Sequence, residues 1–304
     1  MTELGALLDS KPADSAGLRR AADLMNQLVT TPTPTAEDAG EQDLLHADPM
    51  TLFGHLAVLS PGTDVTDTQG LPNPLHLLWS GVKEALRATS YYEMKGRAGQ
   101  VGLRGLGPLI GRLHASSPGL RVHLMGHSFG ARVVSYTLRG LPDTANGSDS
   151  PVKTLLLVQA AFSHFSFAPR LPQDPNRAGG LAGSEQRVDG PLLATFTAFD
   201  LAVGRLYPAA SLISGTDSEG LDDTLFRWGA IGHDGYQAVP TTTMPLGPVG
   251  TRYDLTATRF INLDSNGTIK NGGPPSGAHS DIAHPEVLYA LLYAAGVIEN
   301  PSPG

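Results

Sequence analysis

The sequence predicts an α/β fold in which a parallel sheet of about four strands, flanked by helices, follows a mostly helical amino-terminal region. Three observations carry the prediction. Short apolar runs of strand length, each entered through a Gly, Pro or polar break, recur after residue 120. A helix-length run separates the first two, the strand–helix–strand order of a right-handed parallel crossover. Before residue 119, apolar residues recur mostly at spacings of three and four. Composition agrees with a folded chain. With 304 residues and 40% hydrophobic side chains a sizeable core can be buried, and 36 Gly and 24 Pro stay below the share typical of low-complexity disorder.

In chain order, Leu4, Leu7, Leu8, Leu18, Leu24 and Leu28 fall at helical spacings broken at Pro12, and Thr30 to Thr35 (TTPTPT) reads as a linker. Further helical spacing runs from Glu41 to Ser60 and from Pro74 to Ser117. The strand candidates are Arg121 to Gly126, Thr154 to Gln159, Leu192 to Phe199 and Thr258 to Leu263. The segment Ala131 to Arg139 reads as a helix closed by Gly140 and Pro142. A stretch from Pro169 to Gly190 is long for an ordinary connection and reads as the mouth or lid of a site. The expected division is a helical region over 1–119 and a sheet-bearing region over 120–304, together one compact domain.

Charge and cysteine content narrow the function. A formal charge of −8, with no basic run longer than a pair, argues against nucleic acid and anionic membrane surfaces as partners. The absence of Cys excludes disulfides, thiolate metal sites and a cysteine nucleophile. Glu3 and Asp9 stand where a secretory signal needs positive charge, and the apolar stretch Val287 to Ile298 is short of a membrane span. These features predict a soluble cytoplasmic protein.

Gly126-His127-Ser128-Phe129-Gly130 fits G-x-S-x-G, a sharp strand-to-helix turn that lifts a serine to its tip. Chance alone yields roughly 0.3 such pentapeptides in a chain this rich in Gly and Ser, so the strand before it and the helix after it carry the weight. A plain Gly-rich turn is the competing reading. A serine nucleophile needs a histidine base, and the base needs a carboxylate. Asp200, at the end of the third strand candidate, fits the acid; it also fits an N-cap for the segment starting at Leu201. His279, on the Gly277-Ala278 loop ahead of a terminal helix opened by Ser280 or Asp281, fits the base. His284 and His233 are alternatives, and His233 and His127 are candidate substrate contacts. The Phe129 N–H is the candidate oxyanion donor. Neither H-E-x-x-H nor a phosphate-binding Gly loop occurs; Gly102 to Gly107 is glycine-rich with the wrong spacing and no Lys. No metal or cofactor is expected.

The order Ser128, Asp200, His279 on alternating strands and helices resembles the α/β-hydrolase superfamily over roughly Leu75 to Ile298. The stretches Gly126 to Arg132, Phe199-Asp200, Tyr207-Pro208 and Gly277 to Ile282 are similar to a bacterial group of serine hydrolases without an assigned substrate. The resemblance implies a Ser-His-Asp esterase working through an acyl-enzyme on a small-molecule ester. One departure stands out: the chain has no His-Gly pair upstream to supply the second oxyanion donor. Ala57 to Asp64 (AVLSPGTD) is the upstream candidate, although Leu52, Leu56 and Leu59 read equally well as helix. The family's early strands therefore look absent, which predicts an elbow strand that is exposed or helix-covered and prone to self-association through its edge. It also motivates a second reading, a non-catalytic hydrolase-like interaction module.

Overall fold

Residues 152–158 (VKTLLLV) alternate their side chains between two faces, and both faces are apolar, the pattern of a strand covered by helices on each side. In the computed structural model, which describes residues 2–28, 35, 48–58, 74–204 and 229–298, this segment is the second of five strands. They are β1 (Val122–His127), β2 (Val152–Val158), β3 (Leu192–Phe196), β4 (Thr241–Pro245) and β5 (Phe260–Asp264), all parallel, in the order β1-β2-β3-β5-β4. Leu155, Leu157, Leu192, Ala194 and Phe260 face one core, with Ala131, Val134 and Leu138 of the helix after β1. Leu156, Val158, Leu193, Ile261 and Leu263 face the other, with Val287 and Ala290 of the terminal helix.

The helices number α1 (Thr2–Ser10), α2 (Ser15–Asn26), α3 (Pro49–Val58), α4 (Pro74–Val101), α5 (Gly107–Ser116), α6 (Phe129–Gly140), α7 (Ile231–Asp234) and α8 (Pro285–Ala294). Asp14 caps α2 by accepting the Gly17 N–H at 2.7 Å. Between α4 and α5 a π-helical turn, Gly102–Leu106, carries most of the glycine-rich stretch whose spacing does not fit a phosphate loop. Gly102 is there for packing. A Cβ on Gly102 would lie 2.1 Å from the Val133 carbonyl oxygen, so the turn lies backbone-to-backbone against α6.

Several expectations need correction. Among the described residues the sheet has five strands where about four are expected: β4 (TTTMP) carries little apolar signal, and its three β-branched threonines form a half-exposed strand at the sheet edge beside β5. The terminal helix opens at Pro285, with His284 at its N-cap, not at Ser280 or Asp281. The second half of Pro169 to Gly190 is no lid over strand ends where chemistry could occur. Asp189 N–H donates to Val152 O at the start of β2, Arg187 Nη1 donates to Leu141 O and Pro142 O beyond α6, and Arg259 Nη1 donates to Val188 O. These bonds fix it at the amino ends of the strands.

The residues group into two compact units, with one boundary between them at Gly96–Arg97. The first has its own core of Leu4, Leu18, Met25, Phe53, Trp79 and Val82. The second holds the sheet. Within it β1 pairs with β2 and has no other strand neighbour among the described residues, as expected for a sheet lacking early strands. Of the upstream candidate, Ala57 and Val58 close α3, and residues 59–64 lie outside the described residues, as do the linker residues 30–34 and Tyr207-Pro208. No described helix is long and apolar enough to cross a membrane.

Candidate active site

The turn after β1 is forced by sterics at one glycine. A Cβ on Gly126 would sit 2.4 Å from the Gly130 carbonyl oxygen, so only glycine lets the incoming strand pass so close to the outgoing helix. Gly130 is different: a Cβ there meets nothing within 4 Å, so the turn does not need this second glycine for space. Between them Ser128 takes φ 56° and ψ −123°, a conformation costing about 1 to 3 kcal/mol for a residue with a side chain. Neighbouring backbone holds it there. Ser128 N–H donates to Val158 O at 3.1 Å, and Ser128 O accepts the N–H groups of Ala131 at 3.1 Å and Ala161 at 3.3 Å.

Asp200 follows β3 and is fully buried. Its two oxygens have different partners. Oδ1 accepts the Val203 N–H at 3.3 Å, the cap of the next helical turn, while Oδ2 accepts from His279 Nδ1 at 2.8 Å. Asp200 makes both contacts at once.

His279 lies beyond β5 on a loop stitched to the Asp200 turn. Gly277, at φ 59°, pairs with Asp200 in an isolated bridge, and Ala278 N–H donates to Phe199 O at 2.8 Å. With its Nδ1–H given to Asp200, the ring presents a lone pair at Nε2, which accepts the Ser128 hydroxyl at 2.8 Å. Three side chains from the carboxyl ends of three parallel strands thus form one continuous hydrogen-bonded chain.

The other candidates fall into place around it. His127 donates from Nε2 to the His279 carbonyl at 2.8 Å, and burial lowers its pKa, keeping it a neutral donor that braces the loop. His284 bonds Asp281 at 3.0 Å, and Asp281 in turn accepts the backbone N–H groups of Lys270 and Asn271, so this pair ties down a loop. His233, on α7, bonds Asp234 Oδ1 at 2.8 Å, which raises its pKa. The other Asp234 oxygen bonds buried His164 at 3.1 Å. Burial pushes the Asp234 carboxyl upward, but its bonds to His164 and His233 outweigh this and bring it down to about 2. Phe129 is the first residue of α6, so its N–H stands at the positive end of that helix, next to Ser128. Among the described residues no group of three or more His, Asp or Glu side chains is arranged to hold a metal ion.

One residue at the site escaped the sequence reading. Gln159, immediately after β2, has φ 43° and is fully buried; its side chain bonds Asp200, Gly232 and Thr195. A glutamine closing an apolar run gives no signal of its own in one sequence. No protein-family model, curated protein or solved structure matches this chain, and the reading of the site rests on its geometry.

Proposed function

We propose that the protein is a serine hydrolase of α/β-hydrolase type that cleaves an acyl ester, with Ser128 as nucleophile, His279 as base and Asp200 orienting it. The observation that carries the reading is the pair of 2.8 Å bonds linking Ser128, His279 and Asp200 on a strained strand-to-helix turn. Ion pairs of His and Asp occur in structural roles. A serine on the far nitrogen, held at a backbone strain that structure alone does not reward, favours catalysis.

In this mechanism Ser128 Oγ attacks the ester carbonyl as its proton passes to His279 Nε2. The tetrahedral oxyanion is received by Phe129 N–H with the positive end of α6 behind it. Collapse expels the alkoxide, which leaves as the alcohol after taking the proton from Nε2. Water then attacks the acyl-enzyme, giving a proton to Nε2 that returns to Oγ as the acid departs. Asp200 stays ionised throughout, fixing the tautomer and stabilising the imidazolium. The site calls on no cofactor.

A fluorophosphonate probe tests the assignment. Wild-type protein is expected to be labelled at Ser128, located by peptide mass spectrometry, and Ser128→Ala to be unlabelled. Equal labelling of the variant removes Ser128 from the mechanism. Absence of labelling in the wild type favours the second reading, a hydrolase-like interaction module.

A further inference from the structure

We infer that Gln159 is a positioning residue for the acid of the triad: its side-chain amide fixes the Asp200 carboxylate in the orientation that receives His279. The inference rests on the hydrolase reading for its catalytic consequence and on geometry alone for the contact.

Every polar atom of the Gln159 side chain is used. Nε2 donates one proton to Asp200 Oδ2 at 3.1 Å and the other to Gly232 O at 2.9 Å, and Oε1 accepts the Thr195 hydroxyl at 2.9 Å. The same hydroxyl oxygen accepts the Gln159 backbone N–H at 3.2 Å. This set fixes which end of the amide faces the acid. Turned over, Oε1 would confront a carbonyl and a carboxylate while Nε2 lost both acceptors.

The backbone supports the same conclusion. Among the described residues four non-glycine positions have positive φ, and two of them, Ser128 and Gln159, stand at the carboxyl ends of the adjacent strands β1 and β2. Such strain persists where surrounding bonds over-determine it, and it gathers at functional sites. Here one strained residue holds the hydroxyl and the other holds the acid. Gln159 is fully buried, so it acts through Asp200 and not on substrate.

The consequences can be separated from ordinary stabilisation. When Oδ2 of the buried carboxylate loses one donor, its charge is directed more strongly at the donor left on that oxygen, the His279 ring, and favours the protonated imidazole. It also gains freedom to turn. The other ionisable groups around Asp200 are His127, at the end of β1, and His233 with Asp234, on α7; the Asp200 charge acts on both histidines.

The experiment pairs NMR titration of the His279 ring with the pH dependence of ester hydrolysis in wild type, Gln159→Ala and Thr195→Val. Thr195→Val keeps the shape of the strand and removes only the hydroxyl that anchors the amide, so it serves if the alanine variant does not fold. In Gln159→Ala the His279 midpoint is expected to rise by about one pH unit, kcat to fall about tenfold to a hundredfold with KM little changed, and the acid limb of kcat/KM to rise with the midpoint. Thr195→Val is expected to give a smaller change of the same sign. Unchanged His279 midpoints in the folded variants overturn the inference, even if stability drops. The titration needs no turnover: shifted midpoints in a protein whose Ser128 takes no probe leave the positioning role standing and remove the hydrolase reading instead.

Discussion

Three histidine–aspartate pairs, His279–Asp200, His284–Asp281 and His233–Asp234, share nearly the same contact distance, between 2.8 and 3.0 Å. What lies beyond each ring decides its role. His279 has a serine hydroxyl at its second nitrogen, while His284 bonds an aspartate that is already accepting backbone N–H groups from another loop. On the proposed hydrolase reading, His279→Ala is expected to lower ester hydrolysis by about 10³-fold or more, while His284→Ala and His233→Ala keep most of it. Matched assays on the three purified variants, each checked for a native circular dichroism spectrum, measure this. A dead His284→Ala enzyme with native structure would move the base off the Gly277-Ala278 loop. The same comparison explains why sequence order alone left the base open. All three histidines follow Asp200, and only the loop geometry distinguishes them.

At the scale of elements, the π-helical turn between α4 and α5 gives a matched pair of glycines a few residues apart with opposite surroundings. Gly102 lies against α6, where an added methyl group would meet the Val133 carbonyl and the Thr137 amide; Gly105 has open space around its Cβ position. Gly102→Ala should therefore destabilise the protein by about 1 to 3 kcal/mol through overpacking, and Gly105→Ala should leave stability unchanged or raise it by up to about 1 kcal/mol. Urea unfolding midpoints of the two variants decide it, and equal midpoints would mean the turn does not pack as described. Legibility in the sequence follows the same division between surroundings and signal. The strands β2, β3 and β5 announce themselves because both faces carry apolar residues, β1 because Val122 and Leu124 lead into a glycine-flanked turn, and α1, α2 and α6 because their buried faces repeat at helical spacing. Strand β4 does not, since a half-exposed edge built on Thr242 and Thr243 needs no apolar residue. Ser128, Asp200 and His279 were readable because a reactive side chain beside a turn is conspicuous. Gln159 was not, because its role depends on the partners that β3 and α7 bring to it.

Taken as a whole, the sheet-bearing unit carries the Ser128–His279–Asp200 chain at the carboxyl ends of its strands and the 187–189 loop at their amino ends. At the amino ends of the strands, Arg187 and Arg259 bond backbone carbonyls, and Arg187 also pairs with the exposed Asp143. At the carboxyl ends the supports are titratable: Asp234 links His164 to His233, and His127 braces the His279 loop. Each contributes with its own sign. Asp234 has a carboxyl lowered to about 2 from an ordinary value of 3.8, so the stability it supplies is complete above about pH 4 and is lost as pH falls toward 2. His233, raised by Asp234, stabilises fully below pH 6.5, and that contribution is lost as pH rises through its elevated folded value. His127, lowered by burial, acts oppositely: protonating it below pH 6.5 works against the fold. The expected result is a stability maximum in the neutral range with a steep acid limb. Asp234→Asn should remove about 2 kcal/mol of the loss that wild type shows between about pH 4 and pH 2, while remaining the less stable protein at pH 7. Urea denaturation at several pH values measures both limbs. Parallel acid limbs in the two proteins would mean that Asp234 does not couple the two histidines to global stability, and that the carboxyl end of the sheet is held by β-pairing and core packing alone.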